Sequence, residues 1–254
     1  MNTEHENQTD GVTAGISKSG WFTAPLGRSV LDMEKNRISR ILPDLFGYHI
    51  LQVNGQNTIE LLLDSSRIQH RIVFSQQHIN TTGENPDVVC KCSVLPLASE
   101  SIDVIVLPHV IEFSSNPHQI LRESERVLIG EGHLIIIGFN PYSFWGLWKF
   151  ILAWRAHVPW SGKYIELSRL KDWLSLLDFE IIKAEKFYFR PPLGNNSLME
   201  KLSFLELLGQ YCWSFFGGIY MLVAKKRVIS MTPIKLQWQT RRHMITTGAI
   251  EPSA

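Results

Sequence analysis

At 254 residues, 44% apolar and 19% charged, the chain is long enough for one sizeable core and too apolar to be largely disordered or fibrous. Its 25 basic and 24 acidic residues leave a net charge of +1, which excludes a global field for steering nucleic acid or anionic lipid. The cysteines Cys90, Cys92 and Cys212 include no C-x-x-C, so neither a disulfide framework nor a metal site is expected, and a reducing cytoplasm fits.

Residues 1–20 read as a flexible polar tail, opening MNTEHENQTD without the basic and apolar regions of a secretory signal. A single domain over residues 21–228 follows. Tyr48 to Val53 is apolar and extended, a helical stretch is expected from Thr58 to Leu63, and Arg71 to Phe74 is β-prone, which makes a first β-α-β unit. After VVCKCSVLPL comes a nearly continuous apolar run, Ile102 to Leu107, as a parallel strand covered on both faces requires. Pro117 opens a helix whose apolar face carries Ile120, Leu121, Val127 and Leu128, and Gly130 and Gly132 mark its end before the buried strand HLIIIGFNP. Ser168 is the expected N-cap of RLKDWLSLL, and Phe179 to Tyr188 forms a sixth strand. The uncharged run Leu207 to Ala224 is divided by Gly217 and Gly218, so it reads as the end of a helix (Leu198 to Phe216) and a last strand rather than a membrane span. This alternation predicts an open, doubly wound α/β sheet. Residues 229–254 form a loosely basic tail, with Lys235, Arg241, Arg242 and His243 but no recognition motif, so a nucleic-acid partner is not expected.

The segment SVLPLASESIDVIVLPHVIEFSSNPHQILRESERVLIGEGHLIIIGFNP resembles the middle of methyltransferase type-11 domains. The matching residues are Leu95, Pro96, Leu97, Ser101, Ile102, Asp103, His109, Arg122, Glu123, Arg126, Val127 and Leu128. The WFTAPLG of Trp21 to Gly27 and the LSRLKDWL of Leu167 to Leu174 are similar to uncharacterised bacterial methyltransferase-like proteins. The resemblance implies a class I, Rossmann-like fold: a seven-stranded, mainly parallel sheet with helices on both faces and an antiparallel last strand. It also implies S-adenosylmethionine as cofactor, at the carboxyl ends of the first strands, and methyl transfer to an unidentified acceptor.

The implied cofactor site comprises Gln52, Asn54 and Gly55 after the first strand, Gln76 after the second, Cys92 and Ser93, and Leu107 at the end of the fourth. Family members place glycines in the first loop and a ribose-binding carboxylate after the second strand. Here Gly55 is the loop's single glycine, Asn54, Gln56 and Thr58 take the other glycine positions, and Gln76 or Gln77 offers a neutral acceptor where the carboxylate would stand. Lys91 occupies the adenine-side position. Two readings stay open: an enzyme, or a catalytically inactive methyltransferase-like scaffold that binds a partner.

His109, just past the fourth strand, is the candidate catalytic base, set against a packing role, and Glu112 is a second candidate set against a solvated loop carboxylate. Asp103 is expected to fix its turn by bonding local amides. Cys90 and Cys92 are expected on one strand face as small core residues. Residues 142–163 form an aromatic insertion that holds Trp145, Trp148, Trp154 and Trp160. It is expected to pack against the domain, to cover an acceptor, or to make peripheral membrane contact.

Overall fold

The computed structural model describes residues 24–55, 61–76, 86–152, 161–192 and 214–228. Its elements are helix α1 (Pro25–Ile38), strands β1 (His49–Asn54), β2 (His70–Ser75), β3 (Val88–Val89) and β4 (Ile102–Pro108), helix α2 (Pro117–Val127), strand β5 (Leu128–Phe139), helices α3 (Phe144–Leu152) and α4 (Leu167–Ser175), and strands β6 (Phe179–Phe187) and β7 (Ile219–Lys226). The expected tails, and most of the expected helix Leu198 to Phe216, lie outside the described residues. Ser214–Phe216 is a 3-10 turn.

The seven strands form one sheet in the order β3-β2-β1-β4-β5-β7-β6. β7 runs antiparallel to both β5 and β6, and the remaining pairs are parallel. β1 is central, with Ile50, Leu51 and Gln52 opposite Val104, Ile105 and Val106 of β4. From β1 the chain winds outward through β2 and β3, then returns to β4 on the other side. The crevice at the carboxyl ends of β1 and β4 is therefore the topological switch point, where open α/β sheets bind their ligands.

Side-chain alternation divides the core into two layers. Leu51, Val53, Ile105, Leu107, Leu134 and Ile136 face a layer with α2 and α4, while Ile50, Val104, Val106, Ile135 and Ile137 face one with α1. With both faces covered, the strands have no polar side to show, which explains their continuous apolar runs.

Helix α1 is absent from the sequence reading, although its signals are present. Pro25 occupies the first turn, Leu26, Val30, Leu31, Glu34 and Ile38 are buried at helical spacing, and Lys35 and Arg37 favour the negative end of the helix dipole. Four further expectations need correction. Leu61 to Leu63 are not helical, and residues 56–60 of that expected helix lie outside the described residues. Gly130 and Gly132 do not separate helix from strand: β5 starts at Leu128, and its register against β4 shifts between Ile102 and Val104, so the glycine segment is absorbed as a bulge. Helix α4 takes Glu166 rather than Ser168 at its N-cap, without a side-chain cap bond. Asp103 fixes β1 rather than its own turn, since its Oδ2 accepts the backbone N–H groups of Tyr48 and His49 at 3.0 and 2.8 Å.

The type-11 spacings have a mechanical basis. Glu123 and Arg126 are three residues apart on α2, hence on one helix face. Arg126 donates to the carbonyls of Leu95 and Leu97 at 3.1 and 3.0 Å, and Glu123 accepts the N–H of Leu95 at 3.1 Å. A guanidinium and a carboxylate thus satisfy the backbone of the Leu-Pro-Leu turn, which forms no regular structure of its own.

Candidate active site at the carboxyl edge

The edge is built from the ends of β1, β2 and β4. Gln52 is completely buried; its Oε1 accepts the N–H of Leu62 at 2.9 Å and its Nε2 donates to Asn54 Oδ1 at 2.7 Å. Gln52 and Asn54 therefore brace the loop from inside rather than face an open site. Gly55 lies against the next strand's exit: a Cβ built there would stand 3.6 Å from both the carbonyl oxygen of His109 and the Cα of Val110. The loop after β1 thus lies beside the backbone after β4, at the distance of an ordinary van der Waals contact for a side-chain carbon.

Cys92 is buried and directs its Sγ to the Asn54 carbonyl at 3.7 Å. Burial, then the neighbouring Cys90, push the Cys92 thiol up to about 11, against a small opposing backbone bond, so it is an uncharged packing group at neutral pH. Neither cysteine lies within a strand, because β3 ends at Val89; the shared strand face expected of them does not exist. Leu107 is buried in the core layer. Ser75 ends β2 buried, whereas Gln76 is exposed and Ser93 half-buried. Of the expected cofactor contacts, the Gln76 and Ser93 side chains are thus open to the edge.

Past β4 the chain turns at His109, which adopts a left-handed conformation with φ of 51°. That is uncommon for a residue with a side chain and is held only where surroundings fix it. Here they do. Its Nε2 bonds Glu34 Oε1 on α1 at 2.7 Å, its Nδ1 bonds Glu112 Oε2 at 3.2 Å, and Phe139 stacks on the ring at 4.3 Å. All three ionisable groups are buried. Burial alone lowers the pKa of His109, but the two carboxylates and their hydrogen bonds outweigh it and raise the imidazole to about 10. Burial is also the first influence on Glu112, raising its carboxyl above the usual range against the opposing pull of His109.

Both ring nitrogens of His109 are thus engaged within the protein, and its geometry is that of a fastener between α1 and the exit of β4. Glu112 is not the solvated carboxylate that its loop position suggests; its Oε1 also accepts the Phe139 N–H. The cluster reaches further. Tyr164 keeps its hydroxyl buried without a bond among the described residues, and Lys149 stands 4.1 Å over its ring.

The aromatic insertion divides its roles. Trp145 is buried, stacked 5.4 Å from Phe139, and its Nε1 donates to the Arg190 carbonyl at 3.0 Å. Tyr142, Phe144, Leu147, Trp148 and Phe150 remain exposed. Residues 153–160 lie outside the described residues, and no described helix is long and apolar enough to cross a membrane.

A cofactor carrying a ribose and an adenine fits this edge through neutral groups. Gln76 and Ser93 present hydrogen-bonding atoms, Gly55 is buried beside the exit of β4, and no carboxylate ends β2. Comparison with known proteins agrees with the architecture. Residues 62–136, which run from the end of the first loop into β5, match the family model described as "Methyltransferase domain". The chain is 31% identical over 236 residues to the uncharacterized protein YafS of Escherichia coli (strain K12), covering 92% of each. Among solved structures it is similar to a SAM-dependent methyltransferase from Archaeoglobus fulgidus, with a TM-score of 0.52 at 17% identity, covering 77% of this chain and 94% of that one. It is also similar to the complex of the Haloferax volcanii Trm112 methyltransferase activator with its methyltransferase partner, with a TM-score of 0.55 at 11% identity, covering 85% and 100%. These structural likenesses speak for the fold; together with the domain match and the strand order they place the sequence. The chain belongs to the class I, S-adenosylmethionine-dependent methyltransferase family.

Proposed function

We propose that the chain transfers the methyl group of S-adenosylmethionine to an acceptor held over the carboxyl edge of the sheet. The observation that carries this reading is the switch point between β1 and β4, where Gly55 lies beside the backbone of His109 and Val110. S-adenosylmethionine supplies a sulfonium-bound methyl group that leaves by direct displacement. The protein's part is alignment, since the chemistry requires a base only when the acceptor must lose a proton. In this reading the Gly55 backbone borders the methionine portion, Gln76 meets the ribose hydroxyls, Ser93 and the Cys92 backbone flank the adenine, and Leu107 supports the wall from the core. Gln52 and Asn54 hold the loop in shape, and His109 positions α1 and the β4 exit.

A second reading has its own support. Gln76 or Gln77 stands where the family carries a carboxylate, and Lys91 stands on the adenine side, so a scaffold that has lost its ligand fits those positions. Calorimetric titration with S-adenosylmethionine and S-adenosylhomocysteine separates the two. The enzyme reading expects saturable binding that Gly55→Trp abolishes. It also expects Gln76→Asp to tighten binding roughly fivefold, since a charge-assisted bond exceeds a neutral one by about 1 kcal/mol. No heat at millimolar cofactor, together with indifference to Gln76→Asp, would establish the scaffold.

A further inference from the structure

Helix α3 has its amphipathicity reversed. Its sequence FWGLWKFIL carries one charged residue, Lys149, and that residue turns inward: it is half-buried, its Nζ donates to the Gly162 carbonyl, and it stands 4.1 Å over the Tyr164 ring. Trp145, one helical turn earlier on the same face, is completely buried. The opposite face holds Phe144, Leu147 and Phe150 at successive three-residue steps, and all three are exposed, Phe150 at 84%. A helix that packs on a domain and faces water shows the contrary pattern, with apolar side chains inward and charges outward. Here the protein satisfies the charge and leaves the phenyl group outside.

The apolar face is extended by a second segment. Asn140, buried just past β5, donates from Nδ2 to the carbonyls of Tyr142, Phe215 and Gly217 at 3.4, 3.1 and 2.9 Å, so the turn Ser214–Phe216 is fastened beside the start of α3. Tyr142, Phe215 and Phe216 are exposed there. Single exposed apolar side chains are commonplace, whereas a group gathered from two distant stretches marks a surface that meets something other than water. Its chemistry indicates the partner. From Tyr142 to Lys163 the chain has no Asp or Glu but has Lys149, Arg155 and Lys163. Lys163 is exposed, and Lys186 holds its Nζ 3.8 Å over the Phe215 ring, so cations border the aromatic side chains. The first acid after this stretch, Glu166, is half-buried and accepts the Tyr142 hydroxyl at 3.4 Å. Aromatic rings settle at the boundary between lipid headgroups and acyl chains, and a basic, acid-free border complements anionic headgroups. At nine residues α3 is too short to span a bilayer, so it would lie in the plane of one.

We infer that the outward face of α3, with Phe215 and Phe216, docks on the surface of a bilayer that contains anionic lipid. With a net charge of only +1 the chain has no long-range attraction to such a surface, so the contact depends on the apolar side chains, with the local cations selecting the lipid. The inference goes beyond methyl transfer and stands whether or not the chain binds a cofactor.

The test is flotation of the full chain with vesicles of equal parts phosphatidylcholine and phosphatidylglycerol, alongside vesicles of phosphatidylcholine alone. The chain should float with the mixed vesicles, and its partitioning into the neutral ones should be about fivefold weaker or more. Phe150→Ser and Leu147→Ser, both at exposed positions, should each weaken partitioning about tenfold, the loss expected when one large apolar side chain no longer enters lipid, while the melting temperature stays at the wild-type value. No flotation with the mixed vesicles, or flotation indifferent to both substitutions, overturns the inference. Equal partitioning into neutral vesicles overturns the anionic assignment. In a chain that does not float, two further results name the occupant instead: a melting temperature lowered by the substitutions means that another part of the chain covers the face, and a dimer in sedimentation equilibrium that the substitutions abolish means that a second copy does.

Discussion

His109 illustrates how a residue's role follows from its partners. An imidazole with one free nitrogen could act as a base, but one locked between Glu34 and Glu112 has both nitrogens engaged and ties α1 to the exit of β4. Removing it leaves buried carboxyl oxygens without their hydrogen-bond partner. His109→Gln is expected to destabilise the protein by about 3–5 kcal/mol, read from the urea midpoint, and adding Glu34→Gln in that background should recover part of the loss. The cluster also sets a pH dependence. A histidine raised from 6.5 to about 10 contributes stability that is complete below its ordinary pKa and is lost as pH rises towards and through 10. Glu112, raised by burial, acts in the same direction, because its charged form is the one disfavoured in the folded state. The melting temperature of the wild type should therefore fall between pH 7 and pH 10, and the His109→Gln variant should show a shallower slope; a wild-type melting temperature that rises over this range would contradict the assignment. In the sequence, the candidate residue His109 was legible but its role was not. Glu34 lies 75 positions away and carries no motif, so only tertiary structure reveals that the ring is occupied.

Among the elements, the Leu-Pro-Leu turn and α2 form a unit in which polar side chains replace a missing ladder. Arg126 reaches the carbonyls of Leu95 and Leu97 and the Ser99 hydroxyl, while pairing with Glu123 at 2.9 Å. Arg126→Met keeps the apolar stem but frees several acceptors near solvent. It is expected to cost about 1–3 kcal/mol in urea unfolding, and Arg126→Lys should recover less than half, since an ammonium cannot span the same acceptors. This unit was readable in the sequence because the i, i+3 spacing of Glu123 and Arg126 is a local property. β1, β4, α2, β6 and β7 were readable for the same reason: an apolar period reports an element whenever burial is regular. Where the chain departs from regularity, the period misleads. The bulge at the start of β5 places Gly130 and Gly132 within a strand, and β3 is two residues long, too short for any period to report. Helix α1 had a legible pattern but followed a polar tail and preceded the first strand of the motif. Its significance appears only when Glu34 is seen to anchor it to His109.

In the whole molecule, strand order determines what the edge can do. Inserting β7 between β5 and β6 leaves the β1–β4 crevice as the one point in this sheet where the winding reverses, and Gly55, His109 and, through Glu34, helix α1 meet there. The open doubly wound sheet followed from the alternation of apolar runs, and the cofactor's place at the carboxyl ends of the first strands from the family resemblance. The chemistry of the edge did not, because Gln52 and Asn54 turned out to brace the loop from within and Gln76 to stand outside it. A ligand seated in this crevice bridges the loop after β1, the end of β2 and the exit of β4, so its binding energy adds to the stability of the entire sheet. At a concentration one hundred times its dissociation constant, a ligand bound only by the folded state contributes about 2.7 kcal/mol. For a domain of this size each kcal/mol moves the melting temperature by about 2–4 °C. Saturating S-adenosylhomocysteine should therefore raise the melting temperature of the full chain by about 5–10 °C in a calorimetric scan. The increment should vanish in Gly55→Trp, where the indole fills the space against His109, and should grow in Gln76→Asp at a fixed, subsaturating ligand concentration. A wild-type scan unmoved by the ligand would mean that the crevice, although formed, is not a cofactor site.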